Sequence, residues 1–187
     1  MNIGGATIIN AQFVTYSGST NPKYAAINGT FKNCVFYGVN GLSAAEAGET
    51  VVFEDCLFDG SVYGVHFDCG ANDVIFKRCT FSGFNTFGSE LTLLTLEDCT
   101  FVGNGASAYN GINMWGNTEL TRCTFVFDGS TANEWVDLCD SNQTVTFTDC
   151  VVTDGVNETP IEDVVGNYGD NNTIIIDGVT VAIPNMS

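Results

Sequence analysis

The chain has few basic residues and a large excess of acidic ones. Its 187 residues include 5 Lys and Arg against 22 Asp and Glu, which gives a formal net charge of −17 at pH 7. A chain of this charge repels the phosphates of nucleic acids and anionic lipids, so neither is an expected partner. The carboxylates are instead expected to favour solubility, cations or a basic partner.

Long apolar runs and targeting segments are missing too. No run approaches the roughly 18 residues that a membrane-spanning helix needs, so membrane insertion is not expected. The N-terminus, MNIGGATIIN, lacks the charged and apolar regions of a signal peptide. We therefore expect either an intracellular protein or a single domain, residues 1–187, excised from a longer protein whose targeting segment lies elsewhere.

The sequence also lacks the familiar catalytic signatures. It contains no GxSxG, HExxH, P-loop or EF-hand pattern, and no CxxC pair. The only histidine, His66, lies in the alternating stretch YGVHFDC, where Val65 and Phe67 are expected to point inward and His66 outward. A lone histidine of this kind indicates neither catalysis nor a metal site.

No cofactor is expected. The acidic loops CDSNQT (139–144) and NYGDNNT (167–173) offer oxygen ligands for Ca²⁺. Binding there would be weak, because a hard cation takes six or more oxygens and neither loop matches a known cage.

One hexapeptide recurs along almost the whole chain. It reads FKNCVF, FEDCLF, FKRCTF, LEDCTF, LTRCTF and FTDCVV from residues 31, 53, 76, 96, 120 and 147. IINAQF (8–13) and IIDGVT (175–180) extend the series, with Ala11 and Gly178 in the cysteine position. A repeat at this period predicts units that stack on their neighbours, because no unit can bury its apolar face alone.

Each repeat is expected to contain two or three strands and a sharp bend. Segments such as VHF, VIF and VTFT are β-branched and aromatic, and Asn, Gly, Asp and Ser clusters separate them. Phe31 and Cys34 are three residues apart, so strict alternation cannot turn both inward. The Asn or Asp before the cysteine suits a bend there, because these residues tolerate left-handed backbone.

The spacing of the cysteines argues against disulfides. Six of the eight share one position of the repeat, namely Cys34, Cys56, Cys79, Cys99, Cys123 and Cys150. Neighbours in a parallel ladder lie about 4.8 Å apart with parallel side-chain directions, which fits the converging geometry of a disulfide poorly. We predict reduced thiols that pack as small hydrophobic groups.

The two positions before each cysteine alternate in charge. The outer position reads Lys32, Glu54, Lys77 and Glu97, and the inner position reads Asp55, Arg78, Asp98, Arg122 and Asp149. Side chains stacked about 5 Å apart attract when their charges are opposite. Four of the five basic residues lie in these positions, so we expect an ion-pair network that fixes the register of the coils.

The rows NCVFYG (33–38), DCLFDG (55–60) and DCTFVG (98–103) resemble the right-handed parallel β-helix, the architecture of the pectin-lyase-like superfamily. Similar cysteine-bearing rows are familiar from large surface proteins of gut-dwelling bacteria. The resemblance implies an all-β solenoid of about eight coils, roughly 35–40 Å long at about 4.8 Å per step, and an extracellular or cell-surface location. It implies almost nothing about activity.

Three functions are compatible with this resemblance. The first is a non-enzymatic module, acting as a spacer or binding a glycan or protein, and capable of end-to-end or lateral self-association. The second is a carbohydrate-active enzyme, a polysaccharide lyase or a glycoside hydrolase. The third is a phage fibre or spike segment that recognises glycans.

An arginine acts as the base in pectate lyases, so Arg78 and Arg122 are candidates for a catalytic role. An arginine held between two carboxylates stays charged, which suits a structural role better than proton abstraction.

One outward-facing set of side chains is the candidate ligand site. It comprises His66, Asp68, Asn113, Trp115, Trp135 and Asp137, from corresponding strands of the third, fifth and sixth coils. Aromatic faces beside amides and carboxylates suit a sugar ring. A glycosidase would need two carboxylates about 5–5.5 Å or about 6.5–9.5 Å apart. No catalytic residue is assigned, and scattered polar residues on a sheet face remain the alternative.

Overall fold

The computed structural model describes residues 5–14, 24–27, 29–37, 40–44, 50–67, 73–87, 93–103, 112–126 and 136–186. Within these ranges, only the backbone is described at 24–27, 40–44, 60–67 and 83–87. The described elements are strands apart from one short 3-10 turn.

In chain order the strands are β1 (Thr7–Ile9), β2 (Gln12–Val14), β3 (Tyr24–Ile27), β4 (Gly29–Lys32), β5 (Val35–Tyr37), β6 (Asn40–Ala44), β7 (Thr50–Glu54), β8 (Leu57–Phe67), β9 (Asp73–Lys77), β10 (Thr80–Phe87), β11 (Leu93–Glu97), β12 (Thr100–Val102), β13 (Ile112–Met114), β14 (Thr118–Thr121), β15 (Thr124–Val126), β16 (Val136–Leu138), β17 (Thr144–Thr148), β18 (Val151–Thr153), β19 (Glu158–Thr159), β20 (Val165–Asn167), β21 (Thr173–Ile176) and β22 (Val179–Val181). The 3-10 turn spans Ile161–Asp163.

The strands form three columns along one axis. The first column runs β1-β4-β7-β9-β11-β14-β17-β21, with every pair parallel. The second runs β2-β5-β8-β10-β12-β15-β18, and the third runs β3-β6-β8-β10-β13-β16-β20. The long strands β8 and β10 belong to both of these columns and join them into one sheet. The all-β parallel β-helix predicted from the sequence is confirmed.

Phenylalanine rings fill the interior in continuous stacks. In the second column, ring centroids lie 4.6–4.9 Å apart along Phe13, Phe36, Phe58, Phe81, Phe101 and Phe125. First-column rings stack at 4.9–5.1 Å along Phe31, Phe53 and Phe76. The two stacks meet edge to face, as between Phe76 and Phe81. Offset-stacked and edge-to-face contacts are both favoured by the ring quadrupole. The parallel register places the phenylalanines of successive coils in these two arrangements.

Every repeat turns its corner with a left-handed residue. The position before the cysteine, or its equivalent, has a φ of 48° to 58° at Asn10, Asn33, Asp55, Arg78, Asp98, Arg122, Asp149 and Asp177. The bend predicted at the Asn and Asp positions is confirmed. Arg78 and Arg122 adopt the same conformation although a long side chain has no intrinsic preference for it.

The parallel pattern changes at the C-terminal end of the described chain. Strand β19 pairs antiparallel with β18, and β22 pairs antiparallel with β21. Between them, Ile161 of the 3-10 turn and the adjacent Val164 are buried. Antiparallel strands and a turn therefore cover the last parallel strands of the first and second columns.

Replacing Phe76 tests how much of the stability resides in the ring stack. Phe76→Ala is expected to lower the free energy of unfolding by about 3–5 kcal/mol, because the cavity adds to the lost burial. Phe76→Leu is expected to cost clearly less, since Leu96 fills the same row of the next strand. Urea unfolding followed by circular dichroism gives both values, and an equal cost for the two variants would contradict the prediction.

The left-handed corner gives a second prediction at Asp149, whose φ is 51°. Asp149→Ala is expected to destabilise the fold by about 1 kcal/mol, because alanine keeps the Cβ that disfavours left-handed backbone but loses the short polar side chain whose local hydrogen bonding lets aspartate tolerate it. Asp149→Gly should be close to neutral, since glycine adopts positive φ readily. Thermal unfolding of the two variants checks the order, and a glycine variant as unstable as the alanine variant would refute it.

Candidate ligand-binding face

The third column places three of the predicted site residues in one row. Across β8, β10, β13, β16 and β20, the parallel register pairs His66 with Thr86, Thr86 with Asn113, Asn113 with Asp137, and Asp137 with Gly166. Sequence reasoning missed Thr86 and Gly166. The segment FNTF (84–87) gave no clear signal for Thr86, because Asn85 stands at the register position of Val65 and Ile112 and interrupts the apolar alternation of the neighbouring strands.

Asn113 and Asp137 lie on the outward face of this column. Their neighbours Met114 and Leu138 are buried in the core, whereas Asn113 and Asp137 themselves are half-buried. The Oδ1 atom of Asp137 is buried from solvent. Gly166, the next residue of the row, is buried as well. Asp137 is therefore the last residue of this row, toward the C-terminal end, that a ligand could contact.

A second row runs alongside the first. Cys139 donates its backbone N–H to the Met114 carbonyl at 2.9 Å, and Tyr168 donates to the Leu138 carbonyl at 3.0 Å. These bonds continue the strand register, so Trp115, Cys139 and Tyr168 occupy equivalent positions. Trp115 is 38 % exposed and Tyr168 is 47 % exposed. Tyr168 was missed because it follows the strand VGN within a turn-rich segment.

Three other predicted positions are not fully described. Asp68 and Trp135 lie outside the described residues, and His66 is described by its backbone alone. The described part of this face, called the Trp115 face, therefore consists of Asn113, Trp115, Asp137, Cys139 and Tyr168.

The Cys139 thiol on this face is neutral. Burial, followed by the charge of Asp137, raises the pKa of Cys139 to about 11. Cys139 carries a free thiol whose Sγ lies 3.6 Å from the Asp137 carbonyl oxygen. A protonated, half-buried thiol is a poor nucleophile and a poor metal ligand, so Cys139 contributes an uncharged surface.

The acidic loops beside the face hold their side chains in internal hydrogen bonds. Asp140 Oδ1 accepts the N–H of Ser141, and Asp170 Oδ1 accepts from Asn185 Nδ2 at 3.0 Å. Within the described ranges, no group of three or more His, Cys, Asp or Glu side chains could hold a metal ion. Weak Ca²⁺ binding by these loops stays a prediction.

The repeated cysteines lie inside the coils. Cys34, Cys56, Cys79, Cys99 and Cys123 are buried, Cys150 is partly buried, and all six carry free thiols. Each Sγ lies 3.3–3.7 Å from a carbonyl oxygen of its own coil and of the preceding one. The hydrogen bond with Cys56, followed by burial, raises the pKa of Cys79 to about 12.

The charged positions form ion pairs between successive first-column strands. Lys32 pairs with Glu54 at 2.8 Å, Arg78 with Asp55 at 2.7 Å, Lys77 with Glu97 at 3.4 Å, and Arg122 with Asp98 at 2.7 Å. At least one ion pair thus joins each strand of the first column to the next from β4 to β14. Beyond β14, Asp149 donates its backbone N–H to Asp177 Oδ1 at 2.8 Å.

The arginines of this ladder are held as cations. Arg122 contacts Asp98 through Nε and Nη2 and also reaches Glu97 at 2.8 Å. The hydrogen bond with Asp98 raises the pKa of Arg122 above its ordinary value, and the bond with Asp55 does the same for Arg78. A guanidinium so engaged suits a structural role better than proton abstraction.

The chain belongs to the family of right-handed β-helix proteins. The family model described as "Right handed beta helix region" matches residues 24–181, which is most of the chain and agrees with the parallel columns. Comparisons with curated proteins and with solved structures each found no match. In the described ranges, no helix is long and apolar enough to span a membrane.

The ion-pair ladder predicts a defined pH dependence. Arg122 lowers the pKa of Asp98 and of Glu97 by hydrogen bonding to the ionised carboxylates. Their contribution to stability is therefore present above the unfolded pKa values of about 4 and is lost as the pH falls through the lower folded values. Arg122→Gln should destabilise the protein at pH 7, and the gap from wild type should narrow under acid.

Urea midpoints of the wild type and of Arg122→Gln, taken at several pH values, check this expectation. Thr121→Ser is the matched control, because it changes a neighbouring uncharged residue. High salt should also narrow the gap at pH 7, since exposed ion pairs are screened. A gap that stays constant with both pH and salt would show that the ion pairs do not contribute.

Proposed function

We propose that the chain is a rigid, non-enzymatic β-helix module of a bacterial extracellular or cell-surface protein, and that its Trp115 face binds a glycan. The location rests on the resemblance of the cysteine-bearing rows to surface proteins of gut bacteria. Glycan binding rests on one observation: the parallel register brings the exposed indole of Trp115 beside the half-buried polar groups of Asn113 and Asp137.

This combination of side chains suits a sugar. The indole offers an apolar face on which the C–H face of a sugar ring can stack. The Asn113 amide both donates and accepts hydrogen bonds, and the Asp137 carboxylate accepts them from hydroxyl groups. Asn113 and Asp137 lie on paired strands of a continuous sheet, so little conformational entropy is lost when a ligand orders them.

The same register favours binding over glycoside hydrolysis at this row. A glycosidase places a second carboxylate about 5–9.5 Å from the first. The positions directly paired with Asp137, about 4.8 Å away on either side, are Asn113 and the buried Gly166. The two positions directly paired with Asp137 therefore supply no second carboxylate.

The ladder of ion pairs and the ring stacks suit a spacer. Each strand of the first column is tied to the next by backbone bonds, by stacked apolar side chains and, from β4 to β14, by an ion pair. Contacts of this kind couple neighbouring coils and give a rod that resists bending. We propose that such a rod carries the Trp115 face away from the surface to which the protein is attached.

The proposal is tested by a glycan array with the wild type, Trp115→Ala and Asp137→Asn, followed by a reducing-sugar release assay on every glycan that binds. Trp115→Ala is expected to weaken binding by roughly tenfold, which corresponds to about 1.4 kcal/mol. Asp137→Asn should weaken binding less, because the amide still accepts a hydrogen bond. No sugar release is expected from any of the three proteins.

Tyr37→Ala is the matched control, since Tyr37 is an exposed aromatic residue of the second column at 39 % exposure. Glycan binding that survives Trp115→Ala but not Tyr37→Ala would move the site to another face. Sugar release by the wild type that disappears in Asp137→Asn would show that the protein is an enzyme.

A further inference from the structure

The Trp115 face presents two exposed aromatic residues separated by one strand. Trp115 and Tyr168 hold equivalent positions on either side of Cys139. Two strand spacings separate them, which amounts to about 10 Å along the axis of the rod. Their exposed fractions of 38 % and 47 % leave both rings open to a ligand.

A buried amide fixes the backbone at Trp115. Gln143 is only 3 % exposed, and its Nε2 donates to the Met114 carbonyl at 3.2 Å and to the Gly116 carbonyl at 3.1 Å. These two carbonyls bracket Trp115. Gln143 Oε1 accepts the N–H of Asp140 at 3.1 Å, so the same side chain also secures the segment after Cys139.

The backbone at Tyr168 is fixed by an equivalent set of contacts one strand further along. Asn172 Nδ2 donates to the Asp140 carbonyl and to Oδ1 of Asn167, each at 2.9 Å. Gly169 packs so closely on the Asp140 carbonyl that a Cβ there would clash. Both aromatic residues therefore stand on backbone held by side-chain amide hydrogen bonds.

The charges around the face exclude anionic ligands. Asp137 lies on the face, and Asp140 and Asp170 flank it. In the part of the chain whose side chains are described, the cations are Lys32, Lys77, Arg78 and Arg122, and every one of them is engaged in the ion-pair ladder. A uronate or sulfated sugar would meet carboxylates on this face and, among the described side chains, no cation outside the ion-pair ladder.

We infer that the Trp115 face binds a neutral oligosaccharide chain that lies along the rod axis, with one ring stacked on Trp115 and a later ring stacked on Tyr168. This inference rests on the proposed glycan-binding function and adds the class of sugar, the direction of the chain and a second aromatic contact. The neutral thiol of Cys139 forms the floor between the two rings, and Asp137 accepts hydrogen bonds from hydroxyl groups.

Isothermal titration calorimetry with oligosaccharides of increasing length, from disaccharide to hexasaccharide, tests the inference. The probes are neutral β-glucan, mannan and xylan series, an oligogalacturonate series and a chitosan series. A neutral series is expected to bind, with an affinity that rises with chain length until the chain reaches both aromatics. The oligogalacturonates should not bind.

The variants separate the two aromatic contacts. Tyr168→Ala should remove the gain in affinity with length, a loss of roughly tenfold for the longest chain, and should lower the affinity for the disaccharide far less, because a disaccharide is too short to stack on both rings. Tyr168→Phe should retain the gain, because the ring still stacks. Trp115→Ala should weaken binding at every length, and Tyr37→Ala, the control on the second column, should change none of the affinities.

The outcomes distinguish this inference from the proposed function. If Tyr168→Ala binds every length as the wild type does while Trp115→Ala loses binding, the second contact is wrong and the glycan-binding function stands. Tighter binding of the galacturonate or chitosan series than of any neutral series would overturn the class of sugar. If no series binds the wild type, both the inference and the proposed function fail.

Discussion

The parallel register is the constraint on which the rest of the structure depends. Each residue of a coil lies about 4.8 Å from its equivalent in the next, so every position of the repeat becomes a row along the rod. A row of phenylalanines stacks into a continuous aromatic core, as the centroid spacing of 4.6–4.9 Å in the second column shows. A row of like charges would repel at the same spacing. The alternation of Lys32, Glu54, Lys77 and Glu97 avoids this repulsion and places opposite charges next to each other.

That alternation also selects the correct neighbour for each coil. The apolar rows cannot do so, because Phe31, Phe53 and Phe76 are interchangeable in the first column. If a coil skipped its neighbour and paired with the next but one, Lys32 would meet Lys77, and Asp55 would meet Asp98. Exposed ion pairs contribute little to stability one by one. They nevertheless favour the native pairing of coils over a pairing that skips one coil. Opposite charges face each other in the native pairing, and like charges would face each other in the skipped one.

The sequence predicts the repeated parts of this molecule well and the unrepeated parts poorly. The strands after each cysteine and the left-handed corners follow from the hexapeptide, because each copy repeats the same physical requirement. The left-handed arginines were not anticipated, since their local preference is overridden by the position they occupy. In the third column, the predicted alignment of His66, Asn113 and Asp137 agrees with the register. Thr86 and Tyr168 were missed, because the segments between the columns vary in length and hide the equivalence of positions.

The ion pairs and the amide contacts hold the coils at two different corners. The last pair joins Arg122 to Asp98, and the coils beyond it are held at the third-column corner by neutral amides such as Gln143 and Asn172. Amide contacts are insensitive to salt and to the titration of carboxylates, whereas the ladder responds to both. The coils thus separate two tasks between two corners. Charged rows order the coils at the first-column corner, and side-chain amides fix the backbone of the aromatic residues at the third-column corner.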